Sequence, residues 1–491
     1  MVFFLVGLCR VRVVNEDQRP PSYGELAALV ESLRVTVDRQ AAEIADLRAR
    51  LGMNSRNSSK PPSSEGVTKP VAPKSLRRRA GRKPGGQDGH EGRTLRQVED
   101  PDRVVEHRPA ACRGCGQGLA GAPVVGTQAR QVFDLPEIRP EVVEHRILAC
   151  RCDCGAETKA PAPAGVAAPV QYGPGLAAVA VYLYEGQFLS KERCAQAMGE
   201  LFGAAVSTAT VEAMANRAAA AIRSSSFTER AVAFLSAASA LHVDETSMRV
   251  AGRLAWLHVA TCASVALFLA HPRRGREAMA AMGVLAEAVG VVHHDCWAPY
   301  DHADFALERH QLCGAHLLRE FQAVCDSAGA GHGETACWSC AARDALLDAK
   351  GLVDAAAAAS LSKDRIDPGD LEDARYRLVS AAWLGRSETE ARRNALEKKA
   401  NALAGRVIER LGDYWRFTHD PWAVFDNNAA EREIRMTKIK NKVSGGLRSL
   451  EGAERYAMLR SYLHTAAKHG VSFLDALKAA CAGTPWLLPN T

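Results

Sequence analysis

The stretch Ala240–Pro272, ALHVDETSMRVAGRLAWLHVATCASVALFLAHP, decides the fold. It contains three short apolar runs, ALHVDETSMRV, RLAWLHVATC and SVALFLAHP, separated by connections too short for anything but antiparallel neighbours. A helical pattern follows in GREAMAAMGVLAEAV, then another apolar strand, GVVHHDC, that ends at Asp295. Beyond it the sequence is helical and rich in alanine and charge to about Tyr414, and a last clear helix opens in FDNNAAEREIRMTKIKNK.

Three antiparallel strands, a helix and a further strand give the order of a ribonuclease H-like α/β domain. The first strand places two adjacent carboxylates, Asp244 and Glu245, in an apolar setting where uncompensated charge is costly. Strand alternation turns Asp244 to the face of His242, Thr246 and Met248, and Glu245 to the face of Leu241, Val243 and Ser247. One metal ion cannot readily use both, and periodicity alone does not choose between them. Asp295 ends the fourth strand, 51 residues after Asp244, and Glu431 follows 136 residues later in the first turns of a helix that Asn427 or Asn428 could cap. Three such carboxylates are what two hard divalent cations need to clamp the attacking and leaving oxygens of a phosphodiester. On the Glu431 helix, positions i+4, i+7 and i+11 are Arg435, Lys438 and Lys442. Such a stripe is either a solvated set of ion pairs or a face that touches DNA phosphates. The crowding of basic residues in 432–448, against the single acid Glu433, favours phosphate contact.

The 491-residue chain is too long for one core, and its 47% hydrophobic and 24% charged content is that of a globular protein. Net charge is only +6, so the clustering of charge says more than its sum. No apolar run reaches the roughly 18 residues of a membrane span. The opening MVFFLVGLCRV lacks a basic leader and a cleavage site, so a cytoplasmic location with reduced thiols is expected for the 14 cysteines. Residues 22–51 carry a heptad: Val30, Val37, Ile44 and Leu51 form one series, and Leu26, Leu33, Gln40 and Leu47 the other. This predicts a coiled coil and a homo-oligomer. A Ser-, Pro- and Gly-rich linker follows. Its residues 69–83 hold seven bases and no acid, among them Arg77, Arg78, Arg79, Arg82 and Lys83, a density suited to phosphate contact. Cys112 and Cys115 form a CxxC pair. A second group, Cys150, Cys152 and Cys154, supplies Cys154 and either Cys150 or Cys152 to complete a structural zinc site. Within 173–222, two helices joined by a Gly-Ala turn, with Ser207 as N-cap, have helix-turn-helix spacing. Cys337-x-x-Cys340 could be a further metal pair or packing.

Taken in order, NSSKPPSSEG, GRKPGGQDGHEG, the CxxCG…CxCG module, HVDETSMRV, CGAHLLREF and DNNAAEREIR…KNKVSGGLRS resemble the bacterial DDE transposases of insertion sequence family sixty-six, over roughly residues 22–470. The resemblance implies a multidomain α/β protein. Its parts would be a tail (1–21), a coiled coil (22–53), a basic linker (54–103) and a zinc-binding module (104–160). A helical DNA-binding region (167–228) would precede a ribonuclease H-like catalytic domain (236–302 and 416–470) with a helical insertion (303–415), before a C-terminal tail (471–491). It also implies Asp244, Asp295 and Glu431 as the catalytic acids. Two Mg2+ (or Mn2+) would serve them, zinc would sit on Cys112, Cys115, Cys152 and Cys154, and double-stranded DNA at element ends and target would be the partner. Accessory proteins of the same element and a nucleoid-associated bacterial setting belong to the same expectation. The chain departs from the family in placing His293 and His294 before Asp295 and in its irregular second cysteine pair, which puts the surroundings of the acid and the zinc ligand set in question. Cys313 and His316 match a CxxH of the family, and on a helix they read as packing. The competing expectation is a catalytically inactive, transposase-derived DNA-binding regulator.

Overall fold

The computed structural model describes residues 22–51, 53, 94–305, 307–327 and 337–489. It is a mixed α/β protein that divides into two compact units, one formed by 1–74, 231–248 and 254–436, the other by 75–230, 249–253 and 437–491. The basic residues Arg77, Arg78, Arg79, Arg82 and Lys83 lie outside the described residues.

In the first unit, α1 (Tyr23–Leu51) is a single 29-residue helix whose heptad positions Leu26, Val30, Leu33, Val37, Ile44, Leu47 and Leu51 are exposed. In the second unit, β1 (Ala149–Arg151) and β2 (Glu157–Lys159) form an antiparallel hairpin. Four helices follow: α2 (Pro174–Val181), α3 (Lys191–Phe202), α4 (Thr208–Arg223) and α5 (Phe227–Ser236), the last running on into the first unit. Gly203 ends α3 in a left-handed conformation (φ 63°), and the Ser207 hydroxyl accepts the Thr210 N–H to start α4, so the expected N-cap is present.

The sheet is built from β3 (Ala240–Val250), β4 (Arg253–Thr261), β5 (Ala266–His271), β6 (Val291–His294) and β7 (His310–Leu312), in the order β5-β4-β3-β6-β7. Ala251 and Gly252 both have positive φ (49° and 75°), the backbone of a two-residue turn matched to strand twist. β4 pairs antiparallel with β5, whereas β6 runs parallel to both β3 and β7. The short helix α6 (Arg276–Met282) makes the crossover to β6. β7 falls where the sequence pattern reads as helical insertion. Three residues are too few for periodicity to register, and it is the parallel ladder to β6 that makes them a strand.

Helices α7 (Gly314–Ser327), α8 (Trp338–Ala358), α9 (Pro368–Glu388), α10 (Ala395–Glu409) and α11 (Leu411–Trp415) share one core around Phe321, Trp338, Leu378, Leu403, Trp415 and Phe417. Gly314 opens α7 against the Phe425 ring, where an added Cβ would lie 2.5 Å from the ring; no larger residue fits without moving that helix. Next, α12 (Asn428–Ser444) begins in the first unit and ends in the second, where α13 (Leu450–Lys468) and α14 (Phe473–Cys481) follow. No helix among the described residues is long and apolar enough to cross a membrane.

Candidate active site

Asp244 and Asp295 come together through strand register. The β3–β6 ladder pairs His242 with His293, so two residues further on, at the C-terminal edge of the parallel pair, Asp244 and Asp295 stand level on neighbouring strands. Adjacent strands are about 4.8 Å apart. The two residues are near enough for the Asp295 charge to act on Asp244. Burial first, and then the charges of Glu245, Asp295 and Glu431, raise the Asp244 carboxyl well above its ordinary range. Asp295 is pushed up to about 6, again chiefly by burial and then by Glu245. Asp244 Oδ1 accepts the Glu245 N–H at 2.8 Å, but Asp295 Oδ1 is buried with no hydrogen-bond partner.

Glu431, in the first turn of α12, acts on Asp244 through its charge, but among the described residues its carboxylate does not gather with those of Asp244 and Asp295 within 4.8 Å. Asn428 does not cap that helix with its side chain; its N–H donates to Asp426 Oδ1 at 3.1 Å. Asn427 instead turns into the sheet. Its Nδ2 donates to Val243 O at 2.8 Å, its Oδ1 lies 3.0 Å from His242 Nδ1, and its N–H reaches Cys313 Sγ at 3.3 Å. One buried amide thereby fixes the start of α12 beside Asp244. Glu431 lies 3.6 Å from Arg319 and 3.7 Å from His316 Nδ1, both on α7. Burial lowers the His316 pKa to about 4, so at neutral pH the cation facing Glu431 is Arg319. Cys313, His316 and Glu431 offer donor atoms within 4.8 Å of one another. Burial holds the Cys313 thiol neutral, up to about 12, and its sulfur already accepts the Asn427 N–H. It acts here as a packing and positioning group.

Glu245 points the other way. Its Oε1 receives Nε (2.9 Å) and Nη2 (2.6 Å) of Arg274, and its Oε2 receives the Tyr300 hydroxyl at 2.7 Å. The Arg274 guanidinium lies 3.9 Å from the centroid of the Trp297 ring and 5.0 Å from that of Trp256. This side chain is satisfied by protein groups. Sequence reasoning left its partner open, and no local pattern in HPRRGRE shows that Arg274 folds back onto β3.

His293 and His294 do not crowd the acids. His293 donates from Nδ1 to Leu241 O (3.1 Å) and accepts the Val424 N–H at Nε2 (2.9 Å), while its ring stacks on His242 at 4.1 Å. His294 Nδ1 faces Asp295 O, and its Nε2 lies 2.9 Å from His310 Nδ1. Burial pushes both down to about 3. They are neutral structural groups that join β6 to its neighbours.

In the second unit the cysteine module forms two turns. In the first, the Cys112 N–H bonds Gln117 O and the Gly116 N–H bonds Cys112 O; in the second, the Cys152 N–H bonds Ala156 O and the Gly155 N–H bonds Cys152 O. Backbone N–H groups of Cys115 and Gly114 lower the Cys112 pKa, and the backbone of Cys154 lowers that of Cys152. Cys150 sits in β1, paired with Thr158. No three of these cysteines gather within 4.8 Å of one another among the described residues. On α12, Arg435, Lys438 and Lys442 are exposed along one stripe.

Comparison with protein families matches residues 169–455 to the family described as "Transposase IS66 family", and residues 109–155 to "zinc-finger binding domain of transposase IS66". Residues 15–96 match a family of unknown function. Comparison with the curated proteins gives no match. The first match spans more than half of the chain and contains all three candidate acids; the chain belongs to the IS66 transposase family.

Proposed function

We propose that this transposase cleaves DNA at the ends of a mobile element and joins the freed ends to target DNA, using Asp244, Asp295 and Glu431 as the acids that hold its catalytic cations. The observation that carries this reading is the level placement of Asp244 and Asp295 at one sheet edge, both raised by burial, with Asp295 Oδ1 left without a hydrogen-bond partner and Arg274 offsetting its charge only in part. Buried carboxylates in such a place are costly unless they are neutral or meet a cation. Oxygen donors of this kind fit Mg2+ or Mn2+, and do not fit a soft metal. Two such ions would supply Lewis acidity to a phosphodiester and lower the pKa of an attacking water or 3′-hydroxyl.

The chain's own residues do the positioning. Asn427 fixes α12 against β3 and so sets where Glu431 can reach. Arg319 lies 3.6 Å from Glu431 and orients it, while neutral His316 adds no charge. Arg274 and Tyr300 hold Glu245 on the far face of β3, leaving Asp244 for the reaction. The strand order, an antiparallel meander followed by two parallel strands, supports the ribonuclease H-like assignment. Arg435, Lys438 and Lys442, together with the basic run 69–83, would bind phosphates of element-end and target DNA. The exposed heptad seam of α1 would pair with a second copy as a coiled coil. The zinc-finger match supports structural Zn2+ on Cys112, Cys115, Cys152 and Cys154. Here Cys152 is favoured over Cys150, since backbone N–H groups already favour its thiolate.

The test is cleavage of a DNA duplex carrying the element's terminal repeats, with Mg2+ present. The wild-type chain should nick it at the repeat, and Asp295→Ala should not, while both bind the duplex alike. Nicking by Asp295→Ala at the wild-type rate would exclude the assignment. Binding without nicking by the wild-type chain would favour the inactive-regulator reading.

A further inference from the structure

The CxxC at the start of α8 faces a third cysteine. Cys325, near the end of α7, and Cys337 and Cys340, at the start of α8, place their sulfurs within 4.8 Å of one another. They belong neither to the zinc-finger match nor to the carboxylate site. In a tetrahedral zinc centre with Zn–S bonds of about 2.3 Å, neighbouring sulfurs lie about 3.8 Å apart. The trio is within a small adjustment of that spacing.

The surroundings gather the sulfurs at one helix end. Cys337 is the N-cap of the 21-residue helix α8 and Cys340 lies in its first turn. The fully buried Ser339 places its hydroxyl 3.2 Å from Cys325 Sγ and 3.1 Å from Cys337 Sγ, as an outer partner that orients sulfur ligands would. Partial exposure of Cys337 leaves a route for an ion. The structure joins Cys325 and Cys340 as a disulfide, with Cα atoms 6.0 Å apart. That pairing strands Cys337 and splits the CxxC, whereas one metal ion uses all three sulfurs.

We propose that reduced Cys325, Cys337 and Cys340 form a second, three-thiolate site for a soft divalent cation, zinc first, that pins the end of α7 to the start of α8. A water or other small ligand completes the fourth position, and three thiol protons go to solvent on binding. The same helix α7 carries His316 and Arg319, so the ion would brace the wall that faces Glu431.

The experiment uses the full chain, reduced by a phosphine that opens the disulfide to two thiols and is itself oxidised. The chain is loaded with zinc and alkylated with and without a chelator, and each cysteine is read by mass spectrometry. Cys325, Cys337 and Cys340 should gain label together, by tenfold or more, when the chelator removes the ion. Zinc per chain should fall by one in Cys337→Ser/Cys340→Ser. In Ser339→Ala the count should hold while zinc is lost to chelator roughly 10- to 100-fold more readily. Equal labelling with and without chelator in the wild-type chain, or an unchanged zinc count in the double variant, would overturn the proposal. The wild-type labelling needs no variant to fold. Either result leaves strand cleavage by the carboxylate site to be judged separately.

Discussion

Asp244 and Glu245 are neighbours in one strand, both withdrawn from solvent, and they meet opposite environments. Glu245 finds a guanidinium, a phenol hydroxyl and two indole rings behind that guanidinium. Asp244 finds other carboxylates, Asp295 and Glu431 among them. The protein gives Glu245 a directly hydrogen-bonded cation, gives Asp244 none, and lets the same Arg274 offset Asp295 only through space and only in part. A fold gains nothing in stability from the second arrangement, so its use must come from something that binds there.

The largest effect expected from breaking this contrast is catalytic. Asp244→Ala or Asp295→Ala should lower strand cleavage at least 1,000-fold, on the order of 4 kcal/mol of barrier, with DNA binding retained in a gel-shift assay. On the other face the effect should be one of stability. Arg274→Ala leaves Glu245 buried beside Tyr300 without its cation, and urea unfolding should show a loss of about 3 kcal/mol, the low end for a broken buried pair because the Arg274 side chain is 36% exposed. Asp295→Asn should do the reverse and stabilise the chelator-treated protein.

That stabilisation should depend on pH, with a definite sign. The folded pKa of Asp295, about 6, lies above its value in an unfolded chain. Its contribution is therefore fully present below about pH 4 and is lost as pH rises through 6. The gap in melting temperature between Asp295→Asn and wild type, both metal-free, should open between pH 4 and pH 7; a constant gap would contradict the assigned environment. The smallest effect is expected far from this contrast, in the second unit. Ser207→Ala should cost about 1 kcal/mol through loss of the α4 cap and leave cleavage chemistry unchanged in the single-turnover rate.

Much of this could be read from residue order. The meander β3-β4-β5 shows in its alternation and in the short connections between runs, and the 29-residue helix α1 shows in its heptad. Asp295 shows because it ends an apolar strand. The choice of Asp244 over Glu245 could not be made from periodicity. It came from resemblance, and it gains support from contacts 29 and 55 residues away, at Arg274 and Tyr300. β7 was hidden by its length, and the role of Asn427 by its ordinary use as a cap. The pairing of Glu431 with Arg319 joins helices more than a hundred residues apart, and no local pattern encodes it. Local propensity and spacing are written in short windows; the compensation or abandonment of a buried charge is settled by the folded neighbourhood.

The most direct measurement is Mn2+ binding to the metal-stripped full-length chain, followed by electron paramagnetic resonance as the loss of the free-ion signal. The wild-type chain should bind Mn2+, and Asp244→Asn/Asp295→Asn should not, while Glu245→Gln keeps its Mn2+ even though it is less stable. If the double variant binds Mn2+ as the wild type does, or if Glu245→Gln alone abolishes binding, then the cation site is not where β3 and β6 bring Asp244 and Asp295 together.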